Sequence, residues 1–208
     1  MKKAVSCALV FSLLLALSAC RTPRNDVGEK PVIYLYPEEE TLVTVRLEMN
    51  GQLTASYPAY GEGWTVLAAP DGTLTDPSTG RTYYCLFWEG LLHADFDLSR
   101  GFVVPGDQTA PFLEEALAQL GLTHREANEF ILYWLPRMEG NPYNLISFQQ
   151  KAYTGSAALT VDPAPDTVLR VFMAWKGLDA WMEVEPQTLT APERTGFTVV
   201  EWGGAELS

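Results

Sequence analysis

Cysteine, histidine and positive charge are scarce in this chain: 208 residues hold 3 Cys, 2 His and 14 Lys plus Arg against 26 Asp plus Glu. With Cys7 and Cys20 at the N-terminus, Cys85 is the one unmodified thiol expected after processing, so no intramolecular disulfide framework can form. Among Tyr84, Leu86 and Phe87, Cys85 reads as a small packing residue. The formal net charge of −12 argues against a nucleic-acid partner and against a polybasic lipid contact, since both need clustered Lys and Arg. Glycine-rich phosphate loops, paired Cys-x-x-Cys elements, His-Glu-x-x-His and Gly-x-Ser-x-Gly are all missing, which disfavours most well-marked enzyme classes and implies no cofactor.

What is present begins with targeting. Lys2 and Lys3 precede an apolar stretch, Ala8 to Leu17, that ends in small residues and is too short for an ordinary transmembrane helix, so residues 1–19 read as a secretory signal. Leu17-Ser18-Ala19-Cys20 resembles the lipobox of bacterial lipoproteins, which implies cleavage before Cys20 and its lipidation with fatty acyl chains such as palmitate. Two or more chains, at about 0.8 kcal/mol per buried methylene, would anchor the protein stably to a membrane without spanning it. The expected location is the cell membrane or outer membrane, facing the extracytoplasmic space. Removing Lys2 and Lys3 leaves 12 basic residues against 26 acidic, a mature formal charge of about −14. Residues 20–30, polar and Pro-containing, read as a flexible tether.

From Pro31 to Ser208 the pattern predicts one α+β domain: mainly antiparallel β-sheet, sandwich-like, with a helical hairpin packed on it. Lys30-Pro-Val-Ile-Tyr-Leu-Tyr-Pro37 reads as an edge or first strand between two prolines. Leu42 to Met49 alternates apolar and polar residues, and Asn50-Gly51 then signals a hairpin with Leu53, Ala55 and Tyr57 on the return strand. Thr82 to Val104 organises the rest, reading as a central strand followed by a half-exposed one through His93 to Leu98. Between about 109 and 136 the period becomes 3.6. Phe112, Leu113, Ala116, Leu117 and Leu120 stripe one helix, and Thr123-His-Arg-Glu126 caps a second that ends at Pro136. His124, in the first turn of that helix, is expected at the surface. Strands follow at Leu145 to Gln149, Ala157 to Val161, Val168 to Trp175, Trp181 to Val184 and Phe197 to Trp202. Val168 to Trp175 is apolar on both faces except for Arg170, for which Glu201 is the expected partner.

The Lys30 to Pro37 octapeptide, Tyr133-Trp-Leu-Pro136, Asn141-Pro-Tyr-Asn144 and Gly196-Phe-Thr-Val-Val-Glu-Trp-Gly-Gly204 together resemble a family of uncharacterised bacterial secreted proteins and lipoproteins, over nearly the whole mature chain. That resemblance carries no established activity, so it implies no catalytic residue.

Two groups of residues are candidates for function. Glu89, His93, Asp95 and Asp97 could form an oxygen-rich metal site with one imidazole or a carboxylate-oriented base, as in a metal-dependent or acid/base hydrolase. Residues two apart on a strand lie about 6.5 to 7 Å apart, so His93, Asp95 and Asp97 alone cannot gather at one ion unless the strand bends or ends there, and no metal is expected. Arg137, Glu139, Asn141, Tyr143 and Asn144, where the helices hand back to the sheet, form a candidate ligand-binding surface. The six tryptophans count mainly as core, with a sugar or peptide groove as their other use. Motif poverty favours a non-catalytic module binding an extracytoplasmic protein, peptide or glycan.

Overall fold

The computed structural model describes residues 26–208. The expected signal segment, Cys20 and the first part of the expected tether, residues 21–25, lie outside the described residues. The chain is α+β and sheet-dominated, built as two sheets face to face with helices on the outer face of the larger one. Its elements are β1 (Asp26–Tyr36), β2 (Thr41–Met49), β3 (Gly51–Tyr57), β4 (Trp64–Ala68), β5 (Leu74–Thr75), β6 (Thr82–Tyr83), β7 (Leu86–Leu92) and β8 (Phe102–Pro105). These are followed by α1 (Thr109–Gln119), α2 (His124–Met138), β9 (Tyr143–Phe148), α3 (Gln150–Ser156), β10 (Ala157–Asp162), β11 (Thr167–Leu178) and β12 (Thr198–Glu206).

The larger sheet runs in the order β3-β7-β1-β12-β11-β9-β8, the smaller β10-β2-β4-β5-β6. Alternation on the larger sheet sorts two cores. Ile33, Leu35, Trp88, Phe172 and Val199 point between the sheets and meet Val43, Val45 and Val66 of the smaller one. Val32, Tyr34, Val171, Val200 and Trp202 point the other way, onto Leu113, Leu117, Phe130 and Trp134 of α1 and α2. The helical hairpin is therefore integral to the core. Thr123 and Glu126 close the expected capping box, His124 is exposed as expected, and Gly121 at φ +83° turns the chain between the helices.

Several expectations are corrected. The first strand starts at Asp26, five residues before Pro31, because Asp26 to Gly28 pair with Gly90 to Leu92. β1 is the first described strand but no edge: it lies between β7 and β12, and Pro31 is tolerated at a register shift between Glu29 and Val32. Asn50-Gly51 is a corner, not a hairpin turn, since β2 pairs with β10 and β4 while β3 pairs with β7 in the other sheet. Glycine is needed there because a Cβ on Gly51 would lie 1.8 Å from the Leu91 carbonyl oxygen. α2 runs through Pro136 to Met138. Gln150–Ser156 is a helix that periodicity did not reveal. Trp181 to Val184 forms no strand, and β7 ends before His93.

β11 and β12 pair in parallel, from Thr167 opposite Thr198 to Trp175 opposite Glu206. Parallel neighbours cannot be joined by a tight turn. Residues 179–197 therefore form a long crossover without helix or strand, running past the β8 edge and the flank of α1.

Candidate functional site

The first candidate group does not assemble. Glu89 sits on the helix-facing side of β7 with Phe87, whereas Leu86, Trp88 and Leu92 point between the sheets. His93 is held by its backbone: its N–H donates to the Asn50 carbonyl at 2.8 Å, and its own carbonyl accepts from Asn50 Nδ2 and Ser156 Oγ, each at 3.2 Å. Ala94, Phe96 and Leu98 pack against the inter-sheet core, with Phe96 stacked on Phe172 at 5.1 Å. The expected alternation thus survives without a strand, leaving His93, Asp95 and Asp97 exposed. Asp97 is committed to a local turn, accepting the Ser99 N–H at 2.8 Å and the Ser99 hydroxyl at 2.9 Å. Those donors, the backbone one foremost, hold its carboxyl below the usual range. Among the described residues, no three His, Cys, Asp or Glu side chains are grouped so as to hold a metal ion.

The second candidate group divides. Asn144 is buried and donates to the Met138 carbonyl at 2.9 Å and to Thr109 Oγ1 at 3.0 Å, while accepting from Asn141 Nδ2 at 2.8 Å. The two asparagines clamp both helices to the start of β9, a structural task. Tyr143 is half-buried at that strand's first position, and Glu139 is exposed at the end of α2. Arg137 instead joins Glu29 through two hydrogen bonds and Glu206 through one of 2.8 Å, with its guanidinium 5.2 Å from the Trp134 ring. Tyr133 donates to Glu29 at 3.2 Å; burial first, then Glu29, pushes its hydroxyl up to about 12. Arg137, Glu29 and Glu206 are paired with one another, so this arrangement fastens α2 to β1.

The feature that gathers exposed side chains lies on the other sheet edge, beneath the 179–197 crossover. Phe102 of β8 and Phe112 of α1, with ring centroids 5.1 Å apart, floor a groove walled by Trp181, Met182 and Val184. Its volume is about 350 Å³, and a second cavity of about 250 Å³ shares Phe102 and Phe112 and continues toward Leu189. Trp181 is 60% exposed and Met182 43%, although Trp64, Trp88, Trp134, Trp175 and Trp202 are all buried as core. Long connections without secondary structure are uncommon in compact domains and are frequently functional. The Trp181-Met182 pair within an acidic, Pro-containing stretch is the sequence signal for this groove.

The crossover is fastened at defined points. Gln187 spans the Phe148 backbone, accepting its N–H at 2.8 Å and donating to its carbonyl at 3.1 Å. The Glu185 carbonyl accepts the Gly101 N–H at 2.8 Å, and its carboxylate pairs with Arg100 at 3.2 Å. Arg194 donates to the Gly121 carbonyl at 3.0 Å and reaches buried Glu126 at 2.5 Å. The groove is thus set between anchored walls.

No protein-family model matches the chain, and no solved structure matches it. Over 95 residues it is 39% identical to the Butyrivibrio fibrisolvens protein named "Uncharacterized protein in bglA 3'region", a match spanning 43% of this chain and 97% of that protein. The chain belongs to the family of that Butyrivibrio fibrisolvens protein.

Proposed function

We propose that this chain is a membrane-anchored extracytoplasmic lipoprotein, of the secreted and lipoprotein family that its sequence segments resemble, acting as a non-catalytic binding module for a protein, peptide or glycan. The observation that carries the binding role is the groove beneath the crossover: exposed Trp181 and Met182 face Phe102 and Phe112 across an open, apolar space. Apolar clefts with a few polar groups at the rim are the usual form of a binding site. A hydrolase built on Glu89, His93, Asp95 and Asp97 would need those side chains within hydrogen-bond reach of one another, and Glu89 lies on the helix-facing side of β7, apart from the other three.

Anchoring rests on the Leu17 to Cys20 motif. With β1 starting at Asp26, the link from Cys20 reaches at most about 20 Å. The tethered strand β1 and the groove's edge strand β8 are separated by four strand spacings, about 19 Å, so the groove stands clear of the attachment point.

The test is expression of the full chain in a bacterium fed a labelled fatty acid, beside Cys20→Ala. Label and membrane fractionation are expected for the first and loss of both for the second. Unlabelled, soluble wild-type protein would remove the lipoprotein reading.

A further inference from the structure

The ladder between β8 and β9 shows which backbone groups face the groove. Phe102, Val103, Val104 and Pro105 pair with Ile146, Leu145, Asn144 and Tyr143, and the Gly106 N–H donates to the Pro142 carbonyl. In an antiparallel ladder, alternate residues direct both backbone groups to the partner strand. Even-numbered residues of β8 therefore face β9, as the Gly106 bond requires, and odd-numbered ones face outward, as the Gly101 bond to Glu185 requires. Val103 consequently turns its N–H and its carbonyl into the groove. Pro105, which has no N–H, closes this stretch of edge.

The side chains around the groove have little to offer a sugar. Gln187 spends its amide on the Phe148 backbone, and Gln119 donates its own to Glu115 at 3.3 Å. The rim is acidic: Glu183 lines one cavity and Glu115 the other. Arg100, just before β8, is already paired with Glu185.

Resting on the binding-module reading, we propose that the groove accepts a short extended peptide segment of a partner protein, with apolar residues at alternate positions and Lys or Arg flanking them. The segment lies along the β8 edge, makes one reciprocal backbone pair with Val103, and seats its apolar side chains against Phe102, Phe112 and Trp181. Edge-strand addition gives affinity through the main chain, and alternate side chains give selectivity. The basic flanks meet the acidic rim, so binding weakens as salt rises.

The experiment uses the full lipidated chain in nanodiscs and a phage-displayed library of random dodecapeptides, with chitin and mannan oligosaccharides as the glycan arm. Selected peptides are expected to share the alternating apolar pattern with basic ends. Trp181→Ala should weaken them at least tenfold. Val103→Pro, which removes the outward N–H of this edge strand together with the Val side chain, should weaken them similarly while the melting temperature stays within a few degrees. Methylating the peptide nitrogen that pairs with Val103 should have the same effect. If the selected peptides keep their affinity for both variants, or if only oligosaccharides bind in a Trp181-dependent way, the peptide proposal is overturned, and in the second case the binding-module reading stands. If neither library nor oligosaccharides yield a ligand sensitive to Trp181→Ala, both readings fall.

Discussion

Arg170 and Glu201 stand opposite each other in the parallel register of β11 and β12, with Arg170 Nε 2.5 Å from Glu201 Oε2. Both are buried between the sheets. Trp88 Nε1 donates to the other carboxylate oxygen at 3.0 Å, Arg170 Nη1 donates to the Ala157 carbonyl at 2.6 Å, and the Tyr153 ring lies 4.6 Å from the guanidinium. Burial opposes the charge on Arg170, and Glu201 outweighs it, so the guanidinium stays protonated.

Breaking this pair from one side should be costly, because the remaining charge has no water to turn to. Arg170→Leu or Glu201→Leu alone is expected to lower stability by about 3 to 5 kcal/mol. The double replacement should recover much of that loss, since two apolar side chains need no partner. Urea denaturation of all three variants checks this; single variants within 1 kcal/mol of wild type, on the same scale, would contradict it.

Glu126 makes stability depend on acid. Burial alone would raise its carboxyl, but Arg194, the Thr123 N–H and Tyr36 outweigh burial and hold it below the usual range. A carboxyl depressed in the folded state contributes stability that is present above the unfolded value and is lost as pH falls through the folded one. Glu126→Gln should therefore show a flatter stability profile below about pH 4.5 than wild type. Arg194→Ala should cost about 3 kcal/mol at pH 7, the lower end for a broken buried pair because Arg194 keeps some solvent contact. Parallel acid profiles for wild type and Glu126→Gln would count against the assignment.

Cys85 is half-buried and its thiol is pushed up to about 11, first by burial and then by Glu129. The thiolate is the reactive form, so at pH 8 a thiol reagent should modify the folded domain, made without residues 1–20, on the order of a hundredfold more slowly than the denatured chain. Equal rates would show the thiol to be open to solvent.

Trp134 is fully buried, with Gly204 directly against its ring: a Cβ on Gly204 would lie 2.6 Å from Trp134 Cζ2. Trp134→Ala should cost about 3 to 5 kcal/mol, and Gly204→Ala about 1 to 3 kcal/mol through overpacking. A Trp134→Ala denaturation midpoint equal to wild type would mean that the helices do not depend on the sheet.

Gly51→Ala tests the corner between the sheets. An added methyl would collide with the Leu91 carbonyl, so the loss should reach about 3 kcal/mol, and calorimetry should show it. An unchanged melting temperature would favour a free hairpin turn at Asn50-Gly51.

Features that depend on neighbours along the chain were legible from the residues alone. The helical stripe and capping box placed α1 and α2, the all-apolar run with one arginine placed β11 inside a sheet, and period two told which of residues 93–98 face the core. Arg170 demanded a buried partner, and Glu201 was legible because a lone charge in an apolar strand must be neutralised. Features that depend on which strands meet were not legible that way. Asn50-Gly51 carries the same local signal whether the chain doubles back or crosses to another sheet, and Glu89 faces the helices from β7 while His93, four residues on, is exposed beyond its end. The groove belongs to this second kind. Phe102, Phe112 and Trp181 meet because β11 and β12 pair in parallel, which obliges residues 179–197 to cross over, and strand partners are chosen by long-range backbone pairing that no local pattern encodes.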